Sequence, residues 1–273
     1  MPAGECGGWL ELGRDGSGAG LGVAEETDSE RLPGLPQDAA LKRPLVVSER
    51  SREVLVAPGA SGVAVVCFTG GLNQLGIQLA LFDRYLAEHD LTAVYLRDFS
   101  WRFYVHGVRA LGAGHEQTVG GLRRLLDGLG ARTVHTLGCS AGGFAALSYG
   151  LDLGARKMLS FSGASSYSRT HCSPEMLEVD HRMPTMADYF QTVPDVERLD
   201  MRMRLTSRPM NGEVHLYYGK HMPQDRAHAR HLDGLAGVRL HPVGRYQGHN
   251  TIARLAETGK LRGILARLLA PAA

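Results

Sequence analysis

The sequence predicts an α/β protein with a mostly parallel, eight-stranded sheet flanked by helices and carrying a short cap insertion. Three observations predict this class. Apolar runs of strand length alternate with segments whose apolar residues recur at helical spacing. Several of these runs are apolar throughout, as in strands buried on both faces of a parallel sheet. One long interval breaks the alternation, which indicates an insertion.

Each predicted strand is an apolar run that ends near glycine, proline or a charged residue. The eight strands are expected at 44–49, 53–58, 62–71, 91–98, 132–138, 156–163, 213–219 and 238–244. The first two are predicted to pair antiparallel. The helices, identified by leucine and alanine on one face, are expected at 77–90, 118–130, 143–151, 225–235 and 250–270.

The chain is expected to hold one folded domain preceded by a tail. Residues 1–43 are dominated by glycine, acidic residues and proline without a persistent period, so they predict a flexible N-terminal tail. Residues 44–273 form the predicted domain. Its cap insertion, about 164–212, contains methionine, histidine, serine and proline but no strand pattern.

Charge and cysteine content exclude several classes of partner. The 30 basic and 28 acidic residues give a net charge of +2, so neither nucleic acid nor a membrane surface is expected as a partner. The four cysteines form no C-x-x-C pair, which argues against a zinc site and a disulfide framework. No signal peptide and no membrane-spanning run is recognisable, so a cytoplasmic location is expected. The oligomeric state stays open, a homodimer included.

The clearest motif places a serine between two glycines. Residues 135–147 read HTLGCSAGGFAAL, in which Ser140 lies in a G-x-S-x-G pattern between Gly138 and Gly142. Alone, the pattern is weak evidence, and a glycine turn with a solvent-facing serine is the alternative. A predicted strand precedes it and a predicted helix follows it, as a nucleophile elbow requires. Ser140 is therefore predicted to be a nucleophile.

A base and an acid are expected at the same sheet edge. His249 follows the last predicted strand and is the predicted base. Asp225 follows the seventh strand and is the predicted acid, although aspartate at a helix start is also a common N-cap. Asp98 ends the fourth strand and is expected to hold a neighbouring loop instead.

Two backbone amides are predicted to stabilise the oxyanion. One belongs to Ala141, directly after the nucleophile. The other is expected in the turn FTGGLNQLG at 68–76, with Gly71 preferred and Leu72 as the neighbouring choice. Glycine allows a backbone amide to face inward without a β-carbon in the way.

Together, FTGG, GCSAGG, YYGKHMPQD and GHN resemble the α/β-hydrolase superfamily, and the likeness spans about 44–270. The order serine, acid, histidine is that of this superfamily. The resemblance implies a Ser140–His249–Asp225 triad, no cofactor, and a cap over the site. Where many members have a histidine-glycine pair this chain has TGG, which leaves the second oxyanion donor open.

A triad of this kind predicts a serine hydrolase that cleaves an ester or thioester of a small or medium acyl compound through an acyl-enzyme. Acyl transfer with the same triad, or a scaffold without catalysis, are the alternatives. A metal site using His228 and His231 is a further alternative, but a solvated helix face is preferred and no metal is expected. Aromatic residues such as Phe103 and Tyr167 could line an apolar pocket or simply pack the cap.

Overall fold

A computed structural model describes the sheet and most of the helices of the chain. The described residues are 46–48, 51–168, 170, 171, 173–179, 196–208, 210–244 and 246–269. The predicted tail at 1–43 lies outside them, as does a large part of the predicted cap. None of the helices in the described ranges is long and apolar enough to cross a membrane.

The sheet has eight strands in the order β1-β2-β4-β3-β5-β6-β7-β8. β1 and β2 pair antiparallel, as predicted, and β2 pairs antiparallel with β4. All remaining neighbours are parallel, so the prediction of a mostly parallel sheet is confirmed. The strands are β1 Val46–Ser48, β2 Ser51–Ala57, β3 Val63–Phe68, β4 Thr92–Leu96, β5 Thr133–Cys139, β6 Lys157–Phe161, β7 Glu213–Gly219 and β8 Val238–Val243.

Helices cover both faces of the sheet. They are α1 Leu79–Ala87, α2 His115–Gly128, α3 Ala141–Leu153, α4 Pro174–Val179, α5 Met201–Ser207, α6 Pro223–His231, α7 Thr251–Glu257 and α8 Lys260–Leu269, with a 3-10 turn at Val196–Leu199. α2 and α3 pack a buried apolar cluster against β3 and β4, and α3 and α6 pack another against β6 and β7. α1 and α8 contact each other, and α7 contacts β7.

The C-terminal helix differs from the prediction. A single helix over 250–270 was expected, but the structure has α7 and α8 separated by a turn at Thr258 and Gly259. Gly259 has a φ of +67°, a left-handed conformation that glycine adopts at low cost and that ends a helix. The break lets α8 change direction and pack against α1.

The described part of the predicted cap contains α4, α5 and the 3-10 turn but no strand beyond a single bridge between Ser166 and Asp200, in agreement with the absence of a strand pattern there. Asp200 caps α5, its Oδ1 accepting from the amide of Met203 at 2.8 Å. From α5 the buried guanidinium of Arg204 donates to both carboxylate oxygens of Asp152 at the end of α3, at 2.7 and 2.8 Å, and to Ser148 Oγ. This ion pair ties the end of the cap to the central helix of the domain.

Candidate active site

Ser140 lies at the junction of β5 and α3, as predicted. Its φ of +52° is one that residues with a β-carbon seldom adopt. The turn leaves no room for side chains on its flanking glycines. A β-carbon at Gly138 would overlap the carbonyl oxygen of Gly142, and one at Gly142 would overlap the carbonyl oxygen of Phe68. These glycines allow the strand, the turn and the helix to pack closely enough to present Ser140 at the sheet edge.

His249 links the serine to a carboxylate. Its Nε2 lies 2.8 Å from Ser140 Oγ, and its Nδ1 lies 2.7 Å from Asp225 Oδ1. Because an ionised carboxylate can only accept, Nδ1 carries the proton and donates it to Asp225. The lone pair on Nε2 is then directed at the hydroxyl of Ser140, which is the arrangement that a general base needs.

The two residues that follow His249 fix the loop that carries it. Asn250 caps α7, its Oδ1 accepting from the amide of Ala253 at 3.1 Å, and its Nδ2 donates to the carbonyl of Gly76 at 2.7 Å. Thr251 Oγ1 lies 3.1 Å from Ser162 Oγ. These bonds from exposed Asn250 and buried Thr251 hold the imidazole near the serine.

Asp225 is buried in the first turn of α6, with 3% of its surface exposed. The alternative role as an N-cap is wrong, because Met222 is the N-cap and Pro223 begins the helix. The expectation for Asp98 is confirmed: its Oδ1 accepts from the amide of Ser100 at 3.0 Å and its Oδ2 from the amide of Tyr104 at 3.2 Å. Asp98 therefore holds the loop after β4.

The two predicted oxyanion donors lie in different surroundings. Ala141 is the first residue of α3, so its N–H has no acceptor within the helix and lies at the positive end of the helix dipole. The turn after β3 passes beside the serine, since a β-carbon at Gly70 would lie 3.6 Å from Ser140 Cβ. A β-carbon at Gly71 would instead lie 3.1 Å from the ring of Trp101. That Gly71 supplies the second amide stays a prediction.

A small cavity of about 40 Å³ opens beside these groups. It is lined by Phe103, Ser140, Ala141, Ser162, Ala164, Tyr167, Gln224, Asp225, His228 and His249. Ser162, Gln224 and His228 were not expected at the site from the sequence. For His228 a signal was present, because it follows Asp225 by three residues and such residues share one face of a helix.

The expectation of a solvated face on α6 is wrong for its two histidines. His228 is 5% exposed and accepts at Nδ1 from the amide of Ser165. His231 Nε2 lies 2.8 Å from the buried carboxylate of Asp200. The two rings are thus engaged with protein partners rather than with solvent. In the described ranges, histidine, cysteine and acidic residues form no group of three that could hold a metal.

Comparison with known proteins gives likeness in structure only. Neither the protein-family models nor the curated protein sequences give a match. An S-formylglutathione hydrolase from Agrobacterium tumefaciens superposes with a TM-score of 0.56 and 15% identity over 86% of this chain and 99% of that one. Esterase B from Lactobacillus rhamnosis superposes with a TM-score of 0.55 and 15% identity over 82% of each chain.

An enzyme from the metagenome of lagoon sediments at Mar Chica, Morocco, described as an alpha/beta hydrolase, gives a TM-score of 0.53 with 15% identity. The alignment covers 80% of this chain and 97% of that enzyme. At such identities the likeness shows a shared fold. It agrees with the superfamily that the sequence motifs resemble.

Proposed function

We propose that this chain, which has the α/β-hydrolase fold, is a serine hydrolase that cleaves an ester or thioester of a small acyl compound. The observation that carries the proposal is the continuous hydrogen-bonded series from Ser140 through His249 to Asp225, with contacts of 2.8 and 2.7 Å. Serine, histidine and a buried carboxylate in this order activate the hydroxyl for attack on a carbonyl.

In the first step, Ser140 Oγ attacks the carbonyl carbon of the bound acyl compound while His249 Nε2 takes the hydroxyl proton. Asp225 holds the ring and stabilises its positive charge, remaining ionised itself. The negative charge on the carbonyl oxygen is stabilised by the amide of Ala141, with Gly71 as the proposed second donor. Collapse of this intermediate expels the alcohol or thiol, which receives the proton from His249, and leaves Ser140 acylated.

In the second step, His249 accepts a proton from a water molecule as that water attacks the acyl-enzyme. A second oxyanion forms at the same amides and then collapses. The carboxylic acid leaves, and the proton on His249 returns to Ser140 Oγ. The protein supplies the nucleophile, the base and the amides, so these two steps need no group from outside the chain apart from water.

The size and lining of the cavity support a short acyl group. About 40 Å³ beside Ser140 corresponds to a few atoms rather than a long chain. Phe103 and Tyr167 form an aromatic wall, their ring centroids 5.8 Å apart. We expect acetyl to butanoyl esters to be cleaved faster than esters of eight or more carbons.

Replacement of the nucleophile tests the proposal. Ser140→Ala should reduce turnover of a short p-nitrophenyl ester to background and prevent covalent labelling by a fluorophosphonate, because the attacking oxygen is absent. Labelling is measured by intact-protein mass spectrometry. Ser207→Ala, which removes an exposed hydroxyl on α5, is the matched control and should keep both activities.

Equal labelling of the wild type and Ser140→Ala would refute the assignment of the nucleophile. Hydrolysis in water enriched in ¹⁸O then separates hydrolysis from acyl transfer. The proposal requires one heavy oxygen in the released acid. An unlabelled acyl product attached to an added alcohol, amine or thiol would instead identify a transferase.

A further inference from the structure

A second cleft lies at the end of α3 that is remote from Ser140. It has a volume of about 460 Å³ and is lined by residues of α2, the last turn of α3, the 3-10 turn and α5. Ser140 precedes the first residue of α3, so at about 1.5 Å per residue the cleft lies roughly 18 Å away along the helix. We call it the arginine cleft after the four arginines of its lining, which are Arg123, Arg198, Arg204 and Arg208.

Three of these guanidinium groups converge on Asp152. Arg204 Nη2 donates to both carboxylate oxygens at 2.7 and 2.8 Å, and Arg208 Nη1 donates to Oδ1 at 2.8 Å. Arg123 Nη2 donates to the backbone carbonyl of the same residue at 2.6 Å. Because all three bond to one residue that lines the cleft, their positive charges are gathered in one part of it.

The carboxylate of Asp152 does not balance this charge. The buried Arg204 already pairs with both of its oxygens, and the exposed Arg123 and Arg208 come in addition. Glu116 is the other acidic residue of the lining and is exposed. Among the described residues that line the cleft, the arginines therefore outnumber the carboxylates by two.

Arg123 and Arg208 keep most of their hydrogen-bonding capacity. A guanidinium group has five N–H donors in a planar fork. Each of these two groups uses one nitrogen on Asp152, and within the described ranges neither donates to another acceptor. Such a fork matches the spacing of two oxygens of a phosphate or a carboxylate. Both arginines can therefore bind an anion while they stay bonded to Asp152.

The rest of the cleft offers an apolar surface. Val119 of α2, Leu151 of α3 and Met203 of α5 contribute to the lining, and Met203 is 44% exposed. A volume of about 460 Å³ lies in the range of small-molecule sites, and it exceeds what a single inorganic anion fills. A ligand that joins an anionic group to a compact carbon skeleton would use both parts of the lining.

We propose that the arginine cleft binds a small organic phosphate, whose phosphoryl oxygens accept from Arg123 and Arg208 while its carbon skeleton lies against Leu151 and Met203. A phosphate monoester carries close to two negative charges at neutral pH, which matches the excess of two arginines, whereas a monocarboxylate balances half of it. The proposal goes beyond the hydrolase function and does not depend on it, because the lining of the cleft includes none of the residues around Ser140.

Phenyl phosphate tests the proposal, since it joins a phosphate group to a compact apolar ring. Isothermal titration calorimetry should detect its binding to the wild type. Arg123→Gln and Arg208→Gln should each weaken binding at least about tenfold, because each removes a charged donor fork but leaves Arg204 paired with Asp152. Both arginines are exposed, so both variants should fold, which circular dichroism reports.

Arg124→Gln is the matched control. Arg124 is exposed on α2 beside Arg123 but does not line the cleft, so its replacement should leave the affinity unchanged. Arg123→Lys keeps the charge without the planar fork, and its affinity should lie between those of the wild type and Arg123→Gln. Ser140→Ala should bind phenyl phosphate as the wild type does, because the nucleophile is remote from the cleft.

Four results would overturn the proposal. The first is the absence of binding to the wild type, and the second is an equal affinity in the wild type, Arg123→Gln and Arg208→Gln. An equal loss in Arg124→Gln would show attraction by the general surface charge instead of the cleft. Loss of binding in Ser140→Ala would locate the ligand beside the proposed nucleophile. Benzoate bound as tightly as phenyl phosphate would overturn phosphate as the group that the cleft recognises.

Discussion

At the scale of single residues, the role of Asp225 follows from what it contacts. Its carboxylate reaches His249 Nδ1 but not Ser140, so it acts on the nucleophile only through the imidazole. By accepting at Nδ1 it fixes the tautomer in which Nε2 presents a lone pair. Burial strengthens this effect, since few water molecules screen the interaction between the carboxylate and the charged ring that forms during attack.

Asp225→Asn should therefore lower kcat about ten-thousandfold with little effect on folding. The amide nitrogen of asparagine can donate to Nδ1, which moves the ring proton to Nε2 and removes the base. Steady-state kinetics with a short p-nitrophenyl ester measures the loss. Asp127→Asn, which removes an exposed carboxylate on α2, should behave as the wild type. A loss of less than about tenfold for Asp225→Asn would contradict its role.

At the scale of elements, the turn between β5 and α3 depends on the absence of side chains. α3 follows β5 so closely that a β-carbon at Gly142 would overlap the backbone of β3. Packing does not require glycine at position 120 inside α2, because a β-carbon there would meet no atom nearer than 3.5 Å. The two positions should therefore respond to alanine with opposite signs.

Gly142→Ala should lower the free energy of unfolding by at least about 2 kcal/mol, because the backbone of β3 must move to admit the methyl group. Gly120→Ala should raise it by about 0.5 to 1 kcal/mol, since alanine restricts the unfolded chain and favours helix. Urea unfolding monitored by circular dichroism measures both. Equal effects at the two positions would contradict the packing of the elbow.

Much of this arrangement could be predicted from the sequence because it depends on local patterns. Apolar runs and helical spacing predict the strands and helices, and residues that follow parallel strands meet at one edge of the sheet. Ser140, Asp225 and His249 were predicted in this way, and their proximity in the structure agrees with it.

The features that could not be predicted from the sequence depend on packing between distant segments. Helical spacing places His228 and His231 near each other, but it does not say that Ser165 and Asp200 will cover them. The assignment of α6 as a solvated face was wrong for that reason. Likewise, the break at Gly259 reflects the need of α8 to reach α1 rather than a change in the apolar pattern.

At the scale of the whole molecule, the sheet buries two histidines away from the proposed site. His135 in β5 and His215 in β7 are each 3% exposed. Burial, with the nearby Lys157 and Arg156, lowers the pKa of His135 to about 4. Burial also lowers the pKa of His215 to about 4, although Glu213 opposes the shift. The folded protein therefore resists protonation of both rings in a range where the unfolded chain accepts it.

The consequence is a loss of stability in mild acid. Between pH 6.5 and 4 the unfolded chain binds more protons than the folded one, so the free energy of unfolding falls as the pH is lowered. Each ring contributes on the order of 2 kcal/mol over this interval, and below about pH 4 the contribution is constant. The carboxylates of half-buried Asp152 and buried Asp200, whose pKa values lie below the usual range, lose their stabilising effect only at lower pH. Protonation of the histidines and protonation of the carboxylates therefore lower the stability in different pH intervals.

His135→Leu separates the histidine effect from the carboxylate effect. Urea unfolding at several pH values should show a slope between pH 6.5 and 4 that is smaller by up to one proton than in the wild type, because one fewer ring takes up a proton on unfolding. His221→Gln removes an exposed histidine and should keep the wild-type slope. If His135→Leu keeps that slope as well, burial of His135 does not contribute to the acid sensitivity. Below pH 4, plots of the free energy of unfolding against pH are expected to be parallel for the wild type and both variants, because the carboxylates that titrate there are unchanged.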